Sequence, residues 1–349
     1  MQQIITGIQQ VGIGVTDVDT AWPWYRKQFG MDVPVFDDVA EATLMKQYTG
    51  NKIYSRRAVL AMNMKGGGGF EIWQFKNRRP LFPPHHSRIG DLGINAIKIK
   101  TANSSAAHHR FKSTFPESVS ELCSVSSTGE SFWVDDPFGN RFQVVEDESW
   151  FSGRTGHTGG VCGVILGVSD IDASLPLYTD VLGFTEILYD ETGTFRDLPE
   201  GKKYRRCCLK KSQKNCGAFS RLLGNIQIEL VQMLTDEPRK LYDRRFWGDP
   251  GFIHVCFDVN DMDRLKHKCE NLGYSFTVDS ADSFDMGEAA GRFSYIEDPD
   301  GTLIEFVQTH KLPVLKRWGW YIHLNKRSHT RPLPDWILRC LSFNRVTES

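Results

Sequence analysis

The chain has 349 residues, room for more than one ordinary domain, with 40% apolar and 12% aromatic side chains to pack cores. Its 42 Lys and Arg balance 43 Asp and Glu, so no global basic field exists to hold nucleic acid or an anionic membrane. The eight cysteines include no C-x-x-C pair, no apolar run is long enough for a membrane helix, and Met1 to Gly7 lacks the features of an export signal. The expectation is a cytoplasmic protein with buried free thiols, no nucleic-acid partner and no membrane partner.

In chain order, Gly7 to Asp19 alternates apolar residues with period two as Gln10-Val11-Gly12-Ile13-Gly14-Val15, predicting a strand whose trailing Asp can cap a helix. That helix runs from Ala21 to Phe29 and stops at Gly30, and Gly69-Phe70-Glu71-Ile72-Trp73-Gln74 reads as a final strand. The opening returns at Gly93 to Lys100, Gly160 to Asp172 and Gly251 to Asp263, with V-x-D-x-D endings at Val15, Val168 and Val259. Helices follow again from Ala173 to Leu182, before Gly183, and from Met262 to Leu272, before Gly273. The closing strand returns at Asn140 to Val145, Asn225 to Gln232 and Thr302 to Gln308. Two of these are introduced by Asp136-Pro137-Phe138-Gly139 and Asp298-Pro299-Asp300-Gly301, turns that join adjacent antiparallel strands. An internal repeat therefore organises the chain.

A strand, a helix and several strands, with D-P-x-G before a Glu-bearing last strand, resembles the vicinal oxygen chelate superfamily of glyoxalase I, extradiol dioxygenases and bleomycin-resistance proteins. The resemblance implies an α+β fold of four βαβββ modules pairing into two cupped mixed β-sheets flanked by helices. The modules fall at 4–76, 88–148, 158–234 and 249–309, and a basic, aromatic extension occupies 310–349.

In that superfamily, metal ligands sit at one position of a module's first strand and one of its last. Carried over five residues before the Val of V-x-D-x-D, the first-strand positions are Gln10, Ala96, Gly163 and His254, and the last-strand positions are Glu71, Gln143, Glu229 and Glu305. Alternation independently puts Gln10 with Gly12, and His254 with Cys256, on one strand face, away from Val11, Ile13, Val255 and Phe257. If module one pairs with module four, Gln10, Glu71, His254 and Glu305 meet around one divalent ion of Zn, Ni, Co, Mn or Fe. That pairing is preferred here, because its ligand set is similar to that of glyoxalase I. Pairing of modules three and four would instead give Glu229, His254 and Glu305.

The resemblance implies metal-dependent proton-transfer chemistry, of the isomerase or lyase type, on a small substrate chelated through vicinal oxygens, with Glu305 and Glu71 as proton shuttles. Two alternatives belong to other classes. An extradiol-type iron dioxygenase wants a second histidine where Gly163 stands, and a resistance-type protein binds its ligand without catalysis. A monomer or homodimer accommodates either reading.

Other conspicuous residues have blander expectations. His85-His86 and His108-His109 read as solvated, Gly66 to Gly69 as a flexible turn, and Arg205, Arg206, Lys210, Lys211 and Lys214 as a solvated charge run. Cys207-Cys208 reads as buried, and Cys256 as the thiol nearest substrate. The tail, with Trp318, Trp320 and a helix start at Pro334, packs over the modules or forms a lid.

Overall fold

The computed structural model describes residues 4–124, 129–154, 158–281, 284–285, 290–315, 319–324 and 330–346. Module one comprises β1 (Ile5–Gly14), α1 (Val18–Phe29), β2 (Val33–Glu41), β3 (Ser55–Met62) and β4 (Gly69–Phe75). Module two comprises β5 (Gly93–Thr101), α2 (Ser104–Thr114), β6 (Cys123–Ser124), β7 (Glu130–Asp135) and β8 (Arg141–Glu146). In module three, β9 (Val161–Gly167) precedes α3 (Ile171–Pro176), a π-helical turn at Leu177–Val181, β10 (Glu186–Gly193), β11 (Tyr204–Lys211), α4 (Ser220–Leu223) and β12 (Ile226–Met233). Module four comprises β13 (Gly251–Val259), α5 (Met262–Asn271), β14 (Val278–Asp279), β15 (Phe284–Asp285), β16 (Ala290–Glu297) and β17 (Leu303–Leu315), followed by β18 (Trp320–His323) and α6 (Asp335–Cys340). Asp17, Asp170 and Asp261, the aspartates of the V-x-D repeats, each accept a backbone N–H at a helix start, and Gly30 ends α1 at φ 64°.

The strands form two curled mixed sheets. One runs β14-β16-β17-β13-β1-β4-β3-β2, the other β10-β11-β12-β9-β5-β8-β7-β6. Each is joined at its centre by antiparallel first strands, β1 with β13 and β5 with β9, and each first strand pairs in parallel with its own module's last strand. Module one thus pairs with module four, and two with three. Both D-P-x-G turns join antiparallel neighbours, β7 with β8 and β16 with β17.

The alternation dictates where the core lies. Val11, Ile13, Val255 and Phe257 of one sheet share a buried apolar cluster with Ile97, Ile99, Val164 and Leu166 of the other and with Tyr25, Phe111 and Leu265 from the helices. The opposite face of each sheet lines a cup. Two buried tyrosines at one repeat position tie neighbouring modules: Tyr25 Oη donates to Asp136 (2.6 Å) and Tyr178 Oη to Asp298 (3.2 Å).

One expectation is corrected here. Gly66 to Gly68 is no flexible turn but a buried seam between modules one and three. Gly68 N–H donates to Val161 O, Val161 N–H to Gly68 O and Gly160 N–H to Gly66 O, all at 2.8 Å. A Cβ at Gly67, where φ is +108°, would stand 2.7 Å from the Gly160 carbonyl carbon, so the two backbones approach only as glycines.

The tail crosses the outer cup formed by modules one and four. Leu338 and Leu341 are buried in a cluster with Phe36, Met62 and Leu222, and Val346 N–H reaches Asp32 O at 2.9 Å. Trp320 and Trp336 stack at 6.5 Å, whereas Trp318 lies outside the described residues. No helix among the described residues is long and apolar enough to cross a membrane.

Candidate metal centre

Register brings the four expected residues together. Gly12 faces His254 across β1 and β13 and Glu71 across β1 and β4, while Cys256 faces Glu305 across β13 and β17. A Cβ on Gly12 would lie 2.5 Å from His254 Cε1, so glycine here is what lets the imidazole cross β1. His254 Nε2 then stands 3.0 Å from Glu305 Oε2 and 3.4 Å from Glu71 Oε2, and Gln10 Nε2 lies 3.3 Å from Glu305 Oε2 and 3.5 Å from Glu71 Oε2. All four side chains are buried. Trp247 stacks on the His254 ring at 13° between planes, and Tyr295 meets it edge-on with its hydroxyl 3.5 Å from Nδ1.

Electrostatics binds the cluster. Burial opposes a charged imidazole, but the Glu305 and Glu71 carboxylates outweigh it and lift His254 to about 9. Burial likewise opposes ionisation of Glu305, and the neighbouring His254 more than offsets it, holding the carboxyl below its usual range. Burial, reinforced by Glu305, pushes Tyr295 well above the ordinary phenol value.

The donor set fits a divalent cation. Glu71, His254 and Glu305 present ligand atoms within 4.8 Å of one another. His254 Nε2 is shared between the two carboxylates, and Gln10 Oε1 is buried without a partner. An imidazole, an orphan amide oxygen and two carboxylates together match the mixed N/O set of Zn, Ni, Co, Mn or Fe, with the ion taking the place of the imidazole proton. Two cavities open on the carboxylates. One, about 100 Å³, adds Phe36, Met62, Leu223, Phe293 and the tail's Leu341; the other, about 330 Å³, adds Arg56, Trp73, Trp247 and Tyr295.

The inner cup, between modules two and three, differs at each position. Lys98 faces Gly163 and Gln143, occupying the place of Gly12. Its Nζ lies 2.8 Å from Glu229 Oε2, and Arg206 clamps the same carboxylate at 2.6 Å while also pairing with Asp197 at 2.9 Å. Of Ala96, Gln143, Gly163 and Glu229, only Glu229 carries a charge, and protein cations neutralise it.

Several expectations need correction. Arg206 is no part of a solvated charge run but is 1% exposed inside the inner cup, while Arg205 does stay on the rim with Asp172 and Asp190. Cys256 is fully buried and lines neither cavity, and burial followed by the Glu305 charge pushes its thiol well above the usual value. His108 Nε2 sits 2.9 Å from Ser120 O rather than in solvent. Cys207 and Cys208 are both buried, one in the shared core and one near Lys98, as alternation requires. Sequence reasoning missed Lys98. Its signal was available, because Ile97 and Ile99 face the core and so turn Lys98 toward the cup.

The family model described as the Glyoxalase/Bleomycin resistance protein/Dioxygenase superfamily matches residues 155–306, spanning modules three and four. Over those residues the chain is similar to this superfamily. Glyoxalase I from Zea mays is similar at TM-score 0.52 and 16% identity, covering 86% of this chain and 92% of that one, and a single-substitution variant of it matches at 0.54, with the same identity and coverage. A Bacillus subtilis protein, whose dioxygenase designation is itself provisional, matches at 0.53 and 15% identity over 88% of this chain and 86% of that one. At these identities the likeness shows the fold alone. No curated protein matches the chain in sequence.

Proposed function

We propose that the protein is a divalent-metal-dependent enzyme that moves a proton on a small substrate bound through two vicinal oxygens, an isomerase or lyase. The observation that carries this reading is the convergence of Gln10, Glu71, His254 and Glu305 in one buried cluster, with Gln10 Oε1 lacking a partner. Those four residues would hold the ion. Bound there, a divalent cation withdraws charge from the substrate oxygens and acidifies the adjoining C–H.

The chain's own groups supply the rest. Glu305 borders both cavities and is held ionised by its neighbours, which suits it to accept the proton; Glu71, on the opposite side of the cup, can return it. Trp247 and Tyr295 fix the imidazole plane, and Leu341 with Phe36 and Met62 excludes water from one side. The test is solvent-deuterium exchange and turnover on a panel of α-hydroxycarbonyl compounds with the metal-loaded protein. Glu305→Gln should leave the melting curve in place and lower the rate by about 10²–10⁴. Unchanged turnover in that variant, or oxygen consumption in place of proton exchange in the parent, contradicts the assignment.

A further inference from the structure

A cleft of about 630 Å³ lies where the end of module three's first helix meets α5 and the start of β1. Lys210, Lys211, Lys214, Arg264 and Lys268 line it, and Glu186 is the one carboxylate among its lining residues, 4.0 Å from Lys210. Two of the lysines have a local duty. Lys268 Nζ donates to Val181 O (3.0 Å) and Lys211 Nζ to Leu182 O (2.7 Å), at the carbonyl end of the π-helical turn.

The repeat provides an internal control for that duty. Arg110 stands seven residues after the cap Asn103, as Lys268 stands seven after Asp261, and donates to Gln28 O at 3.3 Å. The counterpart of Lys211 is Asn63, because Leu60 faces Glu71 as Cys208 faces Glu229, and its amide donates to Phe29 O at 2.8 Å. A neutral amide therefore suffices to cap the second carbonyl. Met62 and Ala106 likewise stand where Lys210 and Arg264 stand in the later pair. The positive charge at 210, 211 and 264 exceeds what the fold uses at the equivalent junction.

That excess is concentrated and costly. Burial, with Lys268 and Lys214 alongside, presses Lys211 down to about 7, a crowding of like charge that a bound anion relieves. Each ammonium carries three donors and spends one on a carbonyl. Ile4, Val181 and Leu182 supply an apolar floor, and the volume lies within the range of about 300–1,000 Å³ common to small-molecule sites. We propose that this cleft binds a small soluble polyanion, an organic compound with two or more phosphate-type groups on a compact body. The site is separate from the metal cup and independent of its chemistry.

Inorganic pyrophosphate and ADP are the probes, titrated into the full chain by calorimetry at two ionic strengths. Binding that weakens with salt is expected, reduced about tenfold or more in Lys211→Asn and in Lys210→Met. Both variants import residues of the sister junction, and Lys210→Met leaves both carbonyl caps in place should Lys211→Asn melt early. Exposed Lys46, replaced by Ala, should bind as the parent does. No binding of either probe, or parental affinity in Lys210→Met and Lys211→Asn, overturns the proposal. Sedimentation with phosphatidylserine vesicles separates a lipid source, since vesicle binding without pyrophosphate binding also overturns a soluble ligand.

Discussion

The outer and inner cups are built from the same strand positions and neutralise their buried carboxylates in opposite ways. In the inner cup, Glu229 and Asp197 meet Lys98 and Arg206, so charge closes within the protein. In the outer cup, Glu71 and Glu305 face one imidazole and one amide, and a glycine stands where the inner cup has lysine. The Lys98 and Gly163 pair is the mirror of Gly12 and His254, with side chain and glycine exchanged across the central strands. On the proposed function, the repeated fold uses one cup for structure and one for chemistry.

The comparison breaks most readily at Arg206. Arg206→Met strips one partner from a fully buried carboxylate and should destabilise the chain by about 3–5 kcal/mol in urea unfolding, while metal content stays parental. Adding Glu229→Leu, Lys98→Met and Asp197→Leu should recover most of that loss, because well-packed apolar groups replace a buried ion network at little cost. A failure to recover would mean the network sets the fold rather than merely balancing charge.

Opposite pH dependence sharpens it next. Burial would raise Glu229, but Arg206 and Lys98 hold it at about 2, so its contribution is present above the unfolded value near 4.5 and is lost as pH falls through 2. Asp258 in the outer sheet is pushed up to about 7 by burial, only partly offset by the Thr6 hydroxyl that donates to it. Its contribution is present below about 4 and is lost as pH rises through 7. Asp258→Asn should therefore raise the melting temperature at pH 8 by the equivalent of a few kcal/mol, at about 1.4 kcal/mol per unit, and change it little at pH 4. Equal effects at both pH values would contradict the buried-carboxyl account.

Smaller changes probe the outer cup itself. Gln10→Ala should weaken metal affinity by about tenfold, roughly 1.4 kcal/mol, in a chelator competition, whereas Gln143→Ala at the matching inner position should leave it unchanged. Leu341→Ala should raise KM with kcat retained if the tail only shields the cavity.

Much of this architecture was legible in the residues. The V-x-D repeats, helix-stopping glycines and D-P-x-G turns announced four modules because caps and turns are local chemistry, and period-two alternation assigned Gln10 and His254 to one face. Pairing of module one with four had to be inferred from ligand identity, since sheet order joins strands hundreds of residues apart. The buried charge of Lys98 and Arg206 escaped because a lysine or arginine reads as solvated until its carboxylate is located, and Glu229 reaches Lys98 from another module. The Gly66 to Gly68 seam escaped for a similar reason. Its partner backbone, at Gly160 and Val161, is distant in sequence, and glycines chosen for close approach look like glycines chosen for a turn.

The most direct test of the central claim is the elemental analysis of protein purified without a metal-affinity tag, beside His254→Ala and Gln143→Ala. A stoichiometric divalent ion in the parent and in Gln143→Ala, lost in His254→Ala, is the predicted result. No ion in the parent after reconstitution, or loss in Gln143→Ala with retention in His254→Ala, would contradict the assignment of metal to the outer cup.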